Sequence, residues 1–187
     1  MPERRKGGAM WAIVVLTFAI AAAGRAGEAT VVDDTPGLFT RVRSTQRFMI
    51  ALIREGYDRS PVFRDLVEVL QRSNVIVLVQ PASCAGGRIR SCLVSVTGFD
   101  GQRHIRINVD PHRSHDWLIA TVAHELQHAA EIAEHPEVAD ASAALKLYRM
   151  IAVGQCHEGL SEECETTRAL MTERKVLEEL YARFEKP

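Results

Sequence analysis

His124-Glu125-Leu126-Gln127-His128 sets two imidazoles four residues apart, with a carboxylate directly after the first. On an α-helix that spacing is about 40° of rotation and about 6 Å of rise, so both rings can face one ion. Neutral imidazole nitrogens are ordinary ligands of a tetrahedral metal such as Zn2+. Glu125 is turned about 100° from His124 and about 60° from His128, so its carboxylate flanks such an ion without ligating it. A carboxylate in that place can take a proton from water, which is the chemistry of metal-assisted hydrolysis. The surrounding run contains Ile119, Val122, Ala123, Leu126, Ala129, Ala130 and Ile132, apolar on most sides of the helix. A surface pair of histidines fits that setting poorly, because buried imidazoles need partners.

A hydrolytic zinc takes three protein ligands and keeps one position open. Glu131 shares the face of the histidines, seven residues after His124, but lies about 4.5 Å beyond His128 along the axis. A bond to His128, or a place on the surface, is what its position predicts. The stretch "LSEECETTRALMTERKVLEEL" offers Glu162, Glu163, Glu165 and Glu173 as later candidates. A di-iron carboxylate bundle would also use a Glu-x-x-His unit, but it needs two of them. No second Glu has a His three residues on, and the strands described below oppose a four-helix bundle.

The H-E-x-x-H helix followed by a glutamate from a later helix resembles the zincin metallopeptidases, in particular the gluzincin type. The V-A-H-E-L-Q-H-A stretch is also similar to a helix of secreted bacterial proteins. The longer H-E-x-x-H-x-x-G-x-x-H pattern of metzincins is not met. Glu131 stands at its glycine, Glu134 at its last histidine, and His135 comes one position late. The gluzincin resemblance implies Glu165 as third metal ligand beside His124 and His128, opening the last helix, with Glu125 as catalytic base. Gluzincins often carry an Asp four residues after that ligand; here the position is Ala169. The implied activity is a secreted, zinc-dependent peptidase that hydrolyses peptide bonds by metal-activated water. The alternative is a non-catalytic, zinc-stabilised extracytoplasmic binding module. Tyr148 and His157 are candidates for an extra oxyanion donor, each with a structural role as the plainer expectation. The resemblance covers roughly residues 103–173 and also predicts that "RHIRINVD" is an edge strand beside the cleft, able to pair with an extended substrate.

The elements that must position these groups are legible from periodicity. "RSTQRFMIALIREGYDRS" carries Phe48, Met49, Leu52 and Ile53 at helical spacing, with Gly56 expected as its stop. Ser60-Pro61 predicts a cap and first turn for a second helix through Phe63, Leu66, Val67 and Leu70. "VIVLV", Val75 to Val79, predicts a buried strand ending at Pro81. "RIRSCLVSVTG" and "RHIRINVD" predict two strands joined at Phe99-Asp100-Gly101, with Ile105, Ile107 and Val109 on the covered face. Helices are expected from Ser114 to before Pro136, from Val138 to Val153, and from Glu162 to Phe184. The fold class is therefore α+β, a small and mostly antiparallel sheet packed on helices, zincin-like.

Residues 1–29 have a basic start (Arg4, Arg5, Lys6), an apolar run from Met10 to Ala23 and small residues after it. That is the layout of a secretory signal peptide, with a run shorter than the roughly 20 residues of a stable membrane anchor. Residues 30–187 are expected to form a single domain. Four cysteines, Cys84, Cys92, Cys156 and Cys164, suit disulfides in an exported chain. Three pairings are open, and nearest-neighbour pairing would close two loops of about nine residues, each worth roughly 2–3 kcal/mol. No C-x-x-C spacing suggests a cysteine metal site. Net charge is −1 for the whole chain, so no basic field argues for nucleic acid. The expected partner is a peptide or protein, in a secreted or periplasmic setting.

Overall fold

The computed structural model describes residues 39–87, 89–154, 156 and 164–182. The expected signal segment, Glu162, Glu163 and His157 lie outside the described residues. Within them the chain is α+β, with four strands and five α-helices in the order β1 (Val42–Arg43), α1 (Arg47–Arg59), α2 (Pro61–Gln71), β2 (Val75–Pro81), β3 (Ser91–Phe99), β4 (Gln102–Val109), α3 (His115–Glu134), α4 (Ala141–Ile151) and α5 (Thr167–Tyr181).

The sheet order is β1-β2-β4-β3. β1 pairs parallel with β2, β2 pairs parallel with β4, and only β3 and β4 are antiparallel. This corrects the expected mostly antiparallel sheet. Local turn chemistry fixes only the hairpin: Asp100 and Gly101 both have positive φ, 51° and 70°, as a two-residue hairpin turn with the right twist requires. The other neighbours are distant in sequence, β1 and β2 being separated by two helices. β4 is accordingly an interior strand, not the edge strand expected of "RHIRINVD", and β3 is the edge. At its far end β3 meets a bridge from Thr97 to Asp140, and the β3–β4 register shifts between Leu93 and Ser95.

Ser60 caps α2 as its sequence predicts, its hydroxyl accepting from Phe63 N at 3.0 Å. Gly56 is not a helix stop. It is buried within α1, where an added Cβ would come within 2.8 Å of the Phe63 ring and 3.0 Å of Ile119. Its missing side chain lets α1 lie against α2 and α3. α4 starts later than expected because Asp140 caps it, accepting from Ala143 N at 2.8 Å. α5 likewise starts at Thr167, after the Thr166 cap.

α3 is the central element. Every residue from Leu118 to Ile132 is buried, as for a helix that neighbours surround on all sides. Its C-terminal end is held by Arg103 of β4, itself buried. Arg103 Nη1 donates to the carbonyls of Ile132 (2.6 Å) and His135 (2.8 Å), and Nη2 to that of Ala133 (3.3 Å). Its Nε and Nη2 also reach Asn74 Oδ1, at 3.0 and 2.6 Å. A guanidinium thus satisfies carbonyls that a helix end leaves unpaired.

Candidate metal centre

α3 turns both motif histidines into one cleft. Their ring centroids are 4.9 Å apart and nearly perpendicular, and both side chains are buried. Glu165 reaches the same point from beyond α4, and one donor atom each from His124, His128 and Glu165 lie within 4.8 Å of one another. Neighbouring donors of a tetrahedral zinc would stand about 3.3 Å apart, so the group is slightly more open than a closed site. Among the described residues, this three-residue group could hold a metal ion.

Glu165 is not inside the last helix, as expected, but in the residue before the Thr166 cap. Its carbonyl accepts from Val153 N at 2.7 Å, and Ala152 bridges to Thr166, so the end of α4 fixes the backbone that carries it. A disulfide joins Cys156 to Cys164, the residue directly before Glu165, and a second joins Cys84 to Cys92. Nearest-neighbour pairing is therefore the connectivity. Two disulfides suit an oxidising, extracytoplasmic environment. No helix among the described residues is long and apolar enough to cross a membrane.

Each imidazole has a carboxylate at Nδ1. Glu131 Oε2 lies 3.1 Å from His128 Nδ1, the bond its position predicts, and Glu131 is fully buried rather than on the surface. Its other oxygen accepts from the Thr166 hydroxyl at 2.7 Å. Thr166 also accepts from Ala169 N at 3.1 Å, so Glu131 ties His128 to the start of α5. Glu173 Oε2 stands 3.4 Å from His124 Nδ1, and its Oε1 accepts from Arg90 Nη1 at 3.0 Å. Glu173, offered by sequence as a possible ligand, thus lies behind a histidine. It belongs to the buried stripe Ala169, Thr172, Glu173, Val176 and Leu180 of α5, whose helical spacing is the signal that could have placed it. Sequence reasoning missed Arg90 and Thr166; neither belongs to a recognisable pattern.

Burial alone would lower the pKa of His124, but Glu165, Glu173 and Glu125 outweigh it and lift the value to about 10. Burial would likewise raise Glu165 and Glu173, and the His124 imidazole holds both below the usual carboxylate range instead. His124 Nε2 is 3.0 Å from Glu165 Oε2, yet that oxygen, His124 Nδ1 and Glu125 Oε2 are buried without a hydrogen-bond partner. Of these, the Glu165 oxygen, close to His124 Nε2 but not hydrogen-bonded to it, is the one that an ion between the two would relieve. The residues present therefore fit a metal.

Tyr148 stacks edge-on against His128 at 5.2 Å, but its hydroxyl donates to the His128 carbonyl at 2.9 Å. Burial, with Glu131 and Glu125 near it, pushes its pKa well above 10. Its role is packing and orientation of the motif helix, the plainer of its two expected roles. Glu134 and His135 take no part in the site. Glu134 forms a two-pronged pair with Arg168, at 2.6 and 2.7 Å, and His135 meets Glu137.

These features define an α+β protein with a His-His-Glu group suited to a metal. No protein-family model matches the chain, and no curated protein or solved structure matches it.

Proposed function

We propose that this protein is an extracytoplasmic, zincin-like metallopeptidase whose zinc is held by His124, His128 and Glu165. The observation that carries the reading is a three-donor group sharing one cleft of about 180 Å³ with an unpartnered, buried Glu125 oxygen. A structural metal site has no use for that carboxylate. When bound, the zinc would supply Lewis-acid polarisation of a carbonyl and of water. Glu131 and Glu173 orient the two rings through Nδ1 and leave Nε2 of each for the ion. Glu125 takes a proton from the attacking water and returns it to the leaving amine nitrogen. Ser91 and Leu93 of the edge strand β3 line the same cleft, which supports an extended peptide as the chain to be cut.

The mature protein should carry about one zinc, lost in Glu165→Ala. Hydrolysis of a mixed peptide library should fall by at least a hundredfold in Glu125→Gln while zinc stays bound. Zinc retained by a parent protein that cleaves no peptide would favour the binding-module reading instead.

A further inference from the structure

The cleft is walled by three carboxylates, Glu125, Glu165 and Glu173, and Arg90 brings a guanidinium to the same wall. Arg90 comes from the loop closed by the Cys84–Cys92 bridge, and its carbonyl is pinned by Asp110 N at 2.8 Å. It meets Glu173 through Nη1 alone, because the other oxygen of Glu173 is turned to His124. Nε and Nη2 make no hydrogen bond among the described residues, and the side chain is 42% exposed. An arginine needed only to balance Glu173 would use its planar fork on both carboxylate oxygens. Here half of the fork is left for a ligand.

Strand direction says which ligand. β3 runs from Ser91 to Phe99, and its far end is occupied by the bridge to Asp140. A chain pairing antiparallel with this edge, which no further described strand covers, runs the other way and brings its C-terminal end to Ser91 and Arg90. A chain pairing parallel would bring an ammonium towards a guanidinium.

Resting on the peptidase reading, we infer that Arg90 recognises a carboxylate of the substrate, foremost the one at the peptide's C-terminus. The cleft then acts on bonds close to the end of a chain. Arg90 touches substrate here and sets specificity; it takes no part in proton transfer.

The test measures binding, not turnover, using zinc-loaded Glu125→Gln protein and calorimetry. The probes are N-acetyl tetra-alanine, its C-terminal amide, and the same amide with glutamate as its last residue. The free acid should bind roughly tenfold or more tighter than the plain amide. Arg90→Gln should remove that preference while leaving affinity for the plain amide within about twofold, and Arg90→Lys should keep part of it. If the glutamate amide binds as well as the free acid, the recognised carboxylate can also come from a side chain. Equal binding of acid and amide by the parent would overturn the inference. So would an equal loss of both in Arg90→Gln, which would mean that Arg90 acts only through Glu173. Zinc content is read on the same samples, and Arg90→Lys supplies the acid-to-amide ratio should the Gln variant lose its metal. Failure of every peptide to bind would overturn the peptidase reading as well.

Discussion

On the proposed reading, the metal site depends on carboxylates that are not themselves ligands. Glu131 and Glu173 each stand behind one histidine, and removing such a partner typically costs 10–100-fold in metal affinity. Glu173→Gln and Glu131→Gln should each lower zinc affinity in that range when titrated against a competing chelator. The two should differ in stability. Glu131 is more deeply buried and also holds Thr166, so Glu131→Gln should cost more of it. Without a metal, His124 holds its proton through neutral pH, its pKa being about 10. Zinc bound as proposed must displace that proton, so affinity should rise about tenfold per pH unit from pH 7 to 9. The sign for folding is opposite. A raised histidine pKa stabilises the metal-free protein fully below the unfolded value near 6.5, and that contribution is lost as pH rises through about 10. Thermal melts of chelated protein across pH 6 to 10.5 would show a fall at the alkaline end; a flat profile would contradict the charge assignment.

At the scale of elements, α3 is positioned by contacts at both ends. Arg103 holds its C-terminal carbonyls to the sheet, and replacing it by methionine would leave several of them buried and unpaired. Arg103→Met should destabilise the fold by on the order of 3 kcal/mol, read as a lowered denaturant midpoint. Gly56→Ala would gain up to about 1 kcal/mol in helix propensity. The contacts its Cβ would make with Phe63 and Ile119 reverse the sign, for a net loss of about 1–3 kcal/mol. Helix periodicity placed α1, α2 and α3 well because each shows one continuous apolar pattern. It mistook Gly56 for a stop because a close approach between helices leaves no mark on the local sequence.

At the scale of the whole molecule, two disulfides anchor residues that line the cleft. Cys84–Cys92 closes the loop that brings Arg90, and Cys156–Cys164 ends directly before Glu165. Each bridge should contribute about 2–3 kcal/mol to stability. Their effects on zinc should separate. Cys156→Ser with Cys164→Ser should loosen zinc, because the ligand's backbone loses its tether, whereas Cys84→Ser with Cys92→Ser should leave zinc bound. Equal zinc affinity in both double variants would show that the pairing of Ala152 and Val153 with Glu165 and Thr166 is enough to hold the third donor.

By itself the sequence determined the local facts. It placed the motif helix and its two histidines, the Asp100-Gly101 hairpin, the Ser60 cap and the α+β class, because each depends on residues a few positions apart. It could not determine which strand would be the edge, or that two of three strand pairings would be parallel, because those depend on docking between distant segments. Nor could it pair Glu173 with Arg90, 83 residues apart. Only packing of α5 against α3, and the contact of the Cys84–Cys92 loop with α5 through Arg90 and Glu173, brings a carboxylate behind His124 and a guanidinium to the same cleft.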